Sequence, residues 1–250
     1  MSVPFIPNEV TMTSLVLVHG AWHDSSAFNK SAEYLIAQGA SLHTPTVLGN
    51  GPKDPKNIGL AEAISSIETY IIKHSLNDVV LCGHSYGGMI ITGVADRLEE
   101  RLKRLIYWNA FVPKNGESLE DMVTPNFVNL LDSLTKPDGS FMLPFEIWRE
   151  NFINDASLET ALDTYAQLNP HPRKTFSDPI QLKKNPDQLK VGKSYINCLD
   201  DTALPQSEGW HPRLSEKLGV FRLIQVRGSH EICFTNPKAL SQAILEAAQD

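Results

Sequence analysis

Three polar positions far apart in the chain carry the side chains of an activated nucleophile: a serine at 85, an aspartate at 200 or 201, and a histidine at 230. Ser85 stands in Gly83-His84-Ser85-Tyr86-Gly87-Gly88, after the apolar run Val79-Val80-Leu81-Cys82 and before Met89-Ile90-Ile91-Thr92-Gly93-Val94-Ala95. That order reads as strand, tight turn, helix, with the serine at the turn. Small residues on either side suit a side chain held on a strained backbone. The helix N-terminus beneath it favours a developing negative charge. A serine hydroxyl is a poor nucleophile at neutral pH. It needs a base, and the base needs an orienting carboxylate. The chemistry open to such a set is acyl transfer, with attack on a carbonyl and stabilisation of the resulting oxyanion. G-x-S-x-G alone carries little weight, so the reading depends on where the partners fall.

The elements that must position them alternate along the chain. Leu15-Val16-Leu17-Val18 is a buried parallel strand by its continuous apolar run. Helical spacing follows over 25–38, with Phe28, Ala32, Leu35 and Ile36 on one face and Gly39 as its stop. A short strand, Ser41-Leu42-His43-Thr44, is halted by Pro45. Residues 60–74 are helical, 79–82 form the strand before the serine, 86–100 form the helix after it, and 104–108 form another strand. Strand and helix in alternation predict an α/β fold with a mostly parallel twisted sheet, flanked by helices. The alternation stops at 113–190, which carries Phe141, Met142, Leu143, Phe145, Trp148, Phe152 and Tyr165 but no clear buried strand. It resumes with strands over 193–198 and 220–226 and a last helix over 240–248. The expected division is a core of residues 1–112 and 191–250, with 113–190 as a helical cap inserted after the strand that ends near Asn109. Residues 1–11, with Pro4 and Pro7, are expected to be an extension that packs on the outside or frays.

Ligands bind beyond the carboxyl ends of such strands, which is where the remaining partners are needed. The strand ending at Cys198 runs into Leu199-Asp200-Asp201-Thr202-Ala203-Leu204-Pro205, and the strand ending at Val226 runs into Arg227-Gly228-Ser229-His230-Glu231. His230 is the candidate base. Asp201, one step deeper in its loop and followed by small residues, is favoured as the acid. Asp200 is the competitor, with capping of the turn as its other reading. One oxyanion donor is expected from the Tyr86 backbone N–H and the other from Ala21, in the His19-Gly20-Ala21-Trp22 loop. Gly20 lets that loop turn close to the substrate carbonyl. His19 and His84 are read as structural imidazoles, and Trp22, His23 and Trp148 as candidates for the pocket wall.

Composition limits the alternatives. The chain has 250 residues, 42% hydrophobic and 20% charged, enough for a substantial core. Its net charge of -7 and the lack of a basic cluster speak against nucleic acid. There is no apolar run long enough for a membrane span, nor a signal-peptide pattern. Cys82, Cys198 and Cys233 show no metal-ligand or C-x-x-C spacing and read as buried, reduced thiols of a cytoplasmic protein.

With these residues assembled, the chain resembles the α/β-hydrolase fold superfamily. Within it, the chain is similar to the plant methylesterase and hydroxynitrile lyase group and to bacterial esterases such as pyrethroid hydrolases. The resemblance rests on the 15–22, 83–88, 195–205 and 228–230 segments. It implies Ser85, Asp201 and His230 as a catalytic triad and Ala21 and Tyr86 as oxyanion donors. The lyases of that group carry a lysine after the catalytic histidine and a threonine where Gly20 stands; this chain has Glu231 at the former position. The expected function is hydrolysis of a carboxylic ester of a small apolar or aromatic substrate through an acyl-enzyme, with no metal or organic cofactor, by a monomer or homodimer. Lyase-like chemistry, cofactor-free dioxygenase chemistry and a receptor-like ligand-binding protein with incidental hydrolysis are the alternatives.

Overall fold

The computed structural model describes residues 14–249. The expectation for residues 1–11 lies outside the described residues. Among the described residues, eight strands run in chain order: β1 (Ser14–Val18), β2 (Ser41–His43), β3 (Val79–His84), β4 (Leu102–Trp108), β5 (Ser140–Phe141), β6 (His171–Pro172), β7 (Gly192–Cys198) and β8 (Arg222–Val226). Six of them form one sheet in the order β2-β1-β3-β4-β7-β8, every pair parallel. The central strands β3 and β4 are the apolar runs of the sequence, and β3 is buried along its whole length. Register keeps their ends level: Val18 lies opposite Gly83, His84 opposite Trp108, Trp108 opposite Ile196, and Cys198 opposite Val226.

The helices are α1 (Asn29–Ala37), α2 (Leu60–Lys73), α3 (Gly87–Leu98), α4 (Pro125–Leu134), α5 (Phe145–Ile147), α6 (Leu158–Tyr165), α7 (Lys174–Ser177), α8 (Ile232–Thr235) and α9 (Pro237–Ala247). Their starts follow local chemistry. Thr124, Ser157 and Asn236 each accept a first-turn N–H of α4, α6 and α9, and proline opens α4 and α9. No helix among the described residues is long and apolar enough to cross a membrane.

The structure departs from the sequence reading in three places. The 25–38 helix begins as a 3₁₀ turn at Ser25–Phe28, and Ile36, assigned to its apolar face, is 58% exposed. The last strand begins at Arg222, because Gly219 turns the chain at φ 71° and leaves Val220 in solvent. Within 113–190 the chain forms α4 to α7 and a small antiparallel pair, in which Ser140 faces Pro172 and Phe141 faces His171. Two-residue strands have no readable period.

Helix α3 sits against the chain that leaves β4. A Cβ on Gly88 would stand 2.1 Å from the Phe111 carbonyl oxygen and 2.9 Å from its nitrogen. Both obstacles are backbone. Gly88→Ala is therefore expected to lower unfolding stability by about 2 kcal/mol or more. Gly209→Ala meets nothing closer than 3.5 Å and should change it by less than about 0.5 kcal/mol. Urea unfolding of the two variants checks the contrast.

Candidate active site

The turn after β3 holds Ser85 at φ 55°, left-handed and costly for a residue with a Cβ. Three backbone bonds hold it there. Ser85 N–H donates to the Trp108 carbonyl at 3.2 Å, and the Ser85 carbonyl accepts from Gly88 at 3.0 Å and Phe111 at 3.1 Å. The turn is thus fixed to the end of β4. Ser85 lines a narrow cleft with Ala21 beside it, and the walls are largely aromatic: Trp22, Phe111, Phe152, Phe176 and Trp210. Gly20 is needed for the close approach of the first loop, since a Cβ there would stand 2.9 Å from His84 Nδ1 and 3.1 Å from Ser85 Cβ. Among the described residues, neither Ala21 N–H nor Tyr86 N–H donates to a protein acceptor.

His230 and Asp201 come together from the last two strand ends. His230 Nδ1–H donates to Asp201 Oδ2 at 2.6 Å, and both side chains are 1% exposed. Burial by itself would lower the His230 pKa. The Asp201 charge and hydrogen bond, with Glu231, outweigh it and raise the pKa above 6.5. Asp201 accepts two further donors, Ala203 N–H at 2.7 Å and the Asn109 side-chain amide. Asn109 Oδ1 in turn accepts Cys198 N–H at 2.7 Å. Asp200 does a different job: its Oδ2 accepts Gly228 N–H and Arg227 Nε–H, both at 2.9 Å, and so ties the two loops together.

The remaining histidines sort by what they touch. His84 stacks on Trp108 at 3.9 Å and donates Nε2–H to the His230 carbonyl at 3.0 Å, linking the serine turn to the histidine loop. Burial and the neighbouring His230 push its pKa well down. His19 donates Nδ1–H to Gly20 O at 2.9 Å and accepts Val47 N–H at 3.0 Å; burial lowers its pKa to about 4. Trp22 lines the cleft, whereas His23 and Trp148 do not. Trp148 is fully buried and stacks behind Phe152 at 5.8 Å, and His23 turns away to Glu231. Both support the wall from behind, so their placement as pocket residues is corrected.

Four positions that contact these candidate residues or their loops carry no clear signal in the sequence. Asn109, at φ 35°, holds the Asp201 carboxylate, and its only sequence signal is its place just past a strand. Trp210 stacks on the His230 ring at 5.1 Å. His171 accepts Asn50 Nδ2–H at 3.0 Å and Trp22 N–H at 3.4 Å, fixing the first loop from the 113–190 segment. Glu231 was noted only for what it is not. As to metals, His84, His230 and Glu231 bring one ligand atom each within 4.8 Å of one another. Each already has a partner in the His230 carbonyl, Asp201 or His23.

Comparison with known proteins agrees with this architecture. A carbendazim-hydrolysing esterase of Nocardioides is 43% identical over 111 residues, covering 43% of this chain and 46% of that protein, so the match spans less than half of that relative's length. A pyrethroid hydrolase of Sphingobium wenxiniae is 24% identical over 255 residues, covering 96% of this chain and 89% of the other. An extracellular alpha/beta-hydrolase structure from a Paenibacillus species is 33% identical, covers 95% of this chain and all of its own, and superposes with a TM-score of 0.92. That protein is described as sharing structural and functional homology with tobacco salicylic acid binding protein 2. The alpha/beta hydrolase family model matches residues 15–243. The chain belongs to the alpha/beta hydrolase family.

Proposed function

We propose that this protein is a carboxylesterase-type hydrolase that cleaves a small apolar or aromatic ester through an acyl-enzyme on Ser85. The observation that carries the reading is the buried 2.6 Å His230–Asp201 hydrogen bond, together with a serine held in the left-handed conformation that lines an aromatic cleft. Ser85 Oγ attacks the ester carbonyl carbon as His230 takes its proton. Asp201 holds the imidazole tautomer and stabilises the imidazolium. The carbonyl oxygen becomes an oxyanion that accepts from Ala21 and Tyr86 N–H, each such donor contributing on the order of 3 kcal/mol. Collapse breaks the bond to the alcohol oxygen, which leaves with the proton from His230. Water then gives a proton to His230 and attacks the acyl carbon, and the acid departs as Ser85 regains its hydrogen. The aromatic walls favour an apolar acyl or alcohol group, with few polar anchors to hold it.

The relatives' names fit ester cleavage, as a carbendazim-hydrolysing esterase and a pyrethroid hydrolase. The three thiols are free and buried, which suits a reducing compartment such as the cytoplasm, while the Paenibacillus relative is described as extracellular.

Ser85→Ala is expected to cut hydrolysis of a p-nitrophenyl ester by about 10³-fold or more and to abolish labelling by a fluorophosphonate. Full activity in that variant would sink the mechanism. Labelling of the wild type with turnover separates an esterase from a binding protein.

Activity needs neutral His230, whose pKa is raised above 6.5. The rate is therefore present at higher pH and lost as pH falls through a midpoint above 6.5. Asp201→Asn removes the raising charge. Its acid limb of kcat/KM should move to lower pH while the rate falls by about 10⁴-fold. A pH–rate profile of both proteins reads this directly.

A further inference from the structure

The mechanism leaves one buried pair without a task. His23 Nε2 and Glu231 Oε2 lie 3.1 Å apart, their side chains 4% and 3% exposed. Taking a carboxylate out of water is expensive, and an apolar pair of similar size is often no less stable. Stability alone is therefore a weak reason for such a pair. What it connects is more informative.

His23 lies two residues beyond Ala21, in the loop that leaves β1. Glu231 follows His230, in the loop that leaves β8. β3, β4 and β7 separate those strands in the sheet, so the two loops meet only over its edge. Glu231 is also anchored through its backbone, whose N–H donates to Phe152 O at 3.2 Å. Among the described residues, the titratable groups that face the pair are His19, His84, His171, His230 and Cys233. His84 lies 6.5 Å from the His23 ring and donates to the His230 carbonyl, and Cys233 Sγ is 3.7 Å from Glu231 Oε2. Trp148 and Phe234 close over His23 at 5.6 Å each.

We propose that the His23–Glu231 pair is a positioning device that holds the loop bearing the Ala21 oxyanion donor at a fixed distance from the loop bearing His230. This rests on the Ser85–His230–Asp201 reading above. The pair joins donor and base, two groups that must meet one tetrahedral centre from different sides, and a small error in their separation is costly to the rate. Glu231 has a second effect. Burial would raise its pKa, but His23 and His84, with His230, hold it down to about 2. It is thus a fixed negative charge beside His230, and with Asp201 it raises the histidine's pKa.

The test uses p-nitrophenyl butyrate and pH profiles of kcat and kcat/KM for Glu231→Gln, Glu231→Asp, His23→Gln and the Glu231→Gln/His23→Gln double variant, with thermal unfolding to establish folding. Glu231→Gln is expected to lose about tenfold or more in kcat with KM changed less than about threefold, and its acid limb should move to lower pH. Glu231→Asp keeps the charge, so its acid limb should stay in place while part of kcat returns. His23→Gln should lose kcat similarly, and the double variant should lose little more than either single one. A folded Glu231→Gln with wild-type kcat and an unmoved acid limb would overturn the proposal, as would strictly additive losses in the double variant. If Glu231→Gln does not fold, Glu231→Asp and His23→Gln decide it: wild-type kcat in both overturns it, and a kcat loss in both at near-constant KM supports it. Ser85→Ala is run alongside. Activity there overturns the acyl-enzyme reading itself, whereas an inactive Ser85→Ala beside a wild-type-like Glu231→Gln overturns only the positioning role.

Discussion

A wholly parallel sheet has one edge at which all its strands end, and level register turns that edge into a platform. Trp108 lies opposite His84 on one side and Ile196 on the other, and Val226 lies opposite Cys198. The turns that carry Ser85, Asn109, Asp201 and His230 therefore leave the sheet at the same height, though the residues are up to 145 positions apart in the chain. No turn needs to travel far to meet another. What remains is to hold each one still, and the structure does so with backbone bonds to the neighbouring strand end rather than with bulk. Ser85 binds Trp108 and Phe111, and Asn109 N–H donates to Ile196 O at 2.9 Å.

Three of the five described non-glycine residues with positive φ lie on that platform. Trp22, Ser85 and Asn109 all have positive φ without being glycine. Each such residue costs of order 1–3 kcal/mol. The cost is tolerable where the surroundings over-determine the conformation, and each of these three is held by hydrogen bonds across strands or from the 113–190 segment. The His230–Asp201 pair is treated in the same way. Asn109 and Ala203 take up the remaining acceptor capacity of Asp201, and His84 donates to the His230 carbonyl. The groups aimed at the cleft have their orientation set by their neighbours, some of which, such as Phe111 and Ala203, also line it.

This division explains what could be read from the chain. Apolar runs and alternation identify β1, β3, β4 and β7, because burial on both faces leaves β1 and β3 nearly all apolar and gives β4 and β7 an apolar stretch at Leu105–Trp108 and Tyr195–Ile196. Ser85 and His230 could be picked out because each sits in a short loop directly after such a run, and small residues mark the turn. Asp201 against Asp200 was a choice between neighbours, and it is geometry that gives one to His230 and the other to Arg227 and Gly228. Asn109, His171 and Trp210 were not legible, since each acts through a partner 92, 149 or 20 residues away and no local pattern encodes such a contact. His23 and Trp148 were misplaced for the opposite reason. Their types and positions suit a pocket wall, but which way a buried ring turns depends on neighbours that composition does not reveal. The edge strand β8 starts later than its apolar run, because the turn at Gly219 leaves Val220 in solvent.

The buried imidazoles used to brace the platform also bear on the unfolded chain. His19, His84 and His171 all bind protons less readily when folded than the ordinary value of 6.5, chiefly because they are out of water. Once unfolded, each regains its normal appetite for a proton. Acidification therefore feeds the unfolded ensemble at three sites at once, and folding stability declines as pH drops below about 6.5, toward about 4 in the case of His19. The same rings that keep the turns in place thus set a lower limit to the acidity in which the molecule endures, a limit imposed by proton uptake on unfolding rather than by its chemistry.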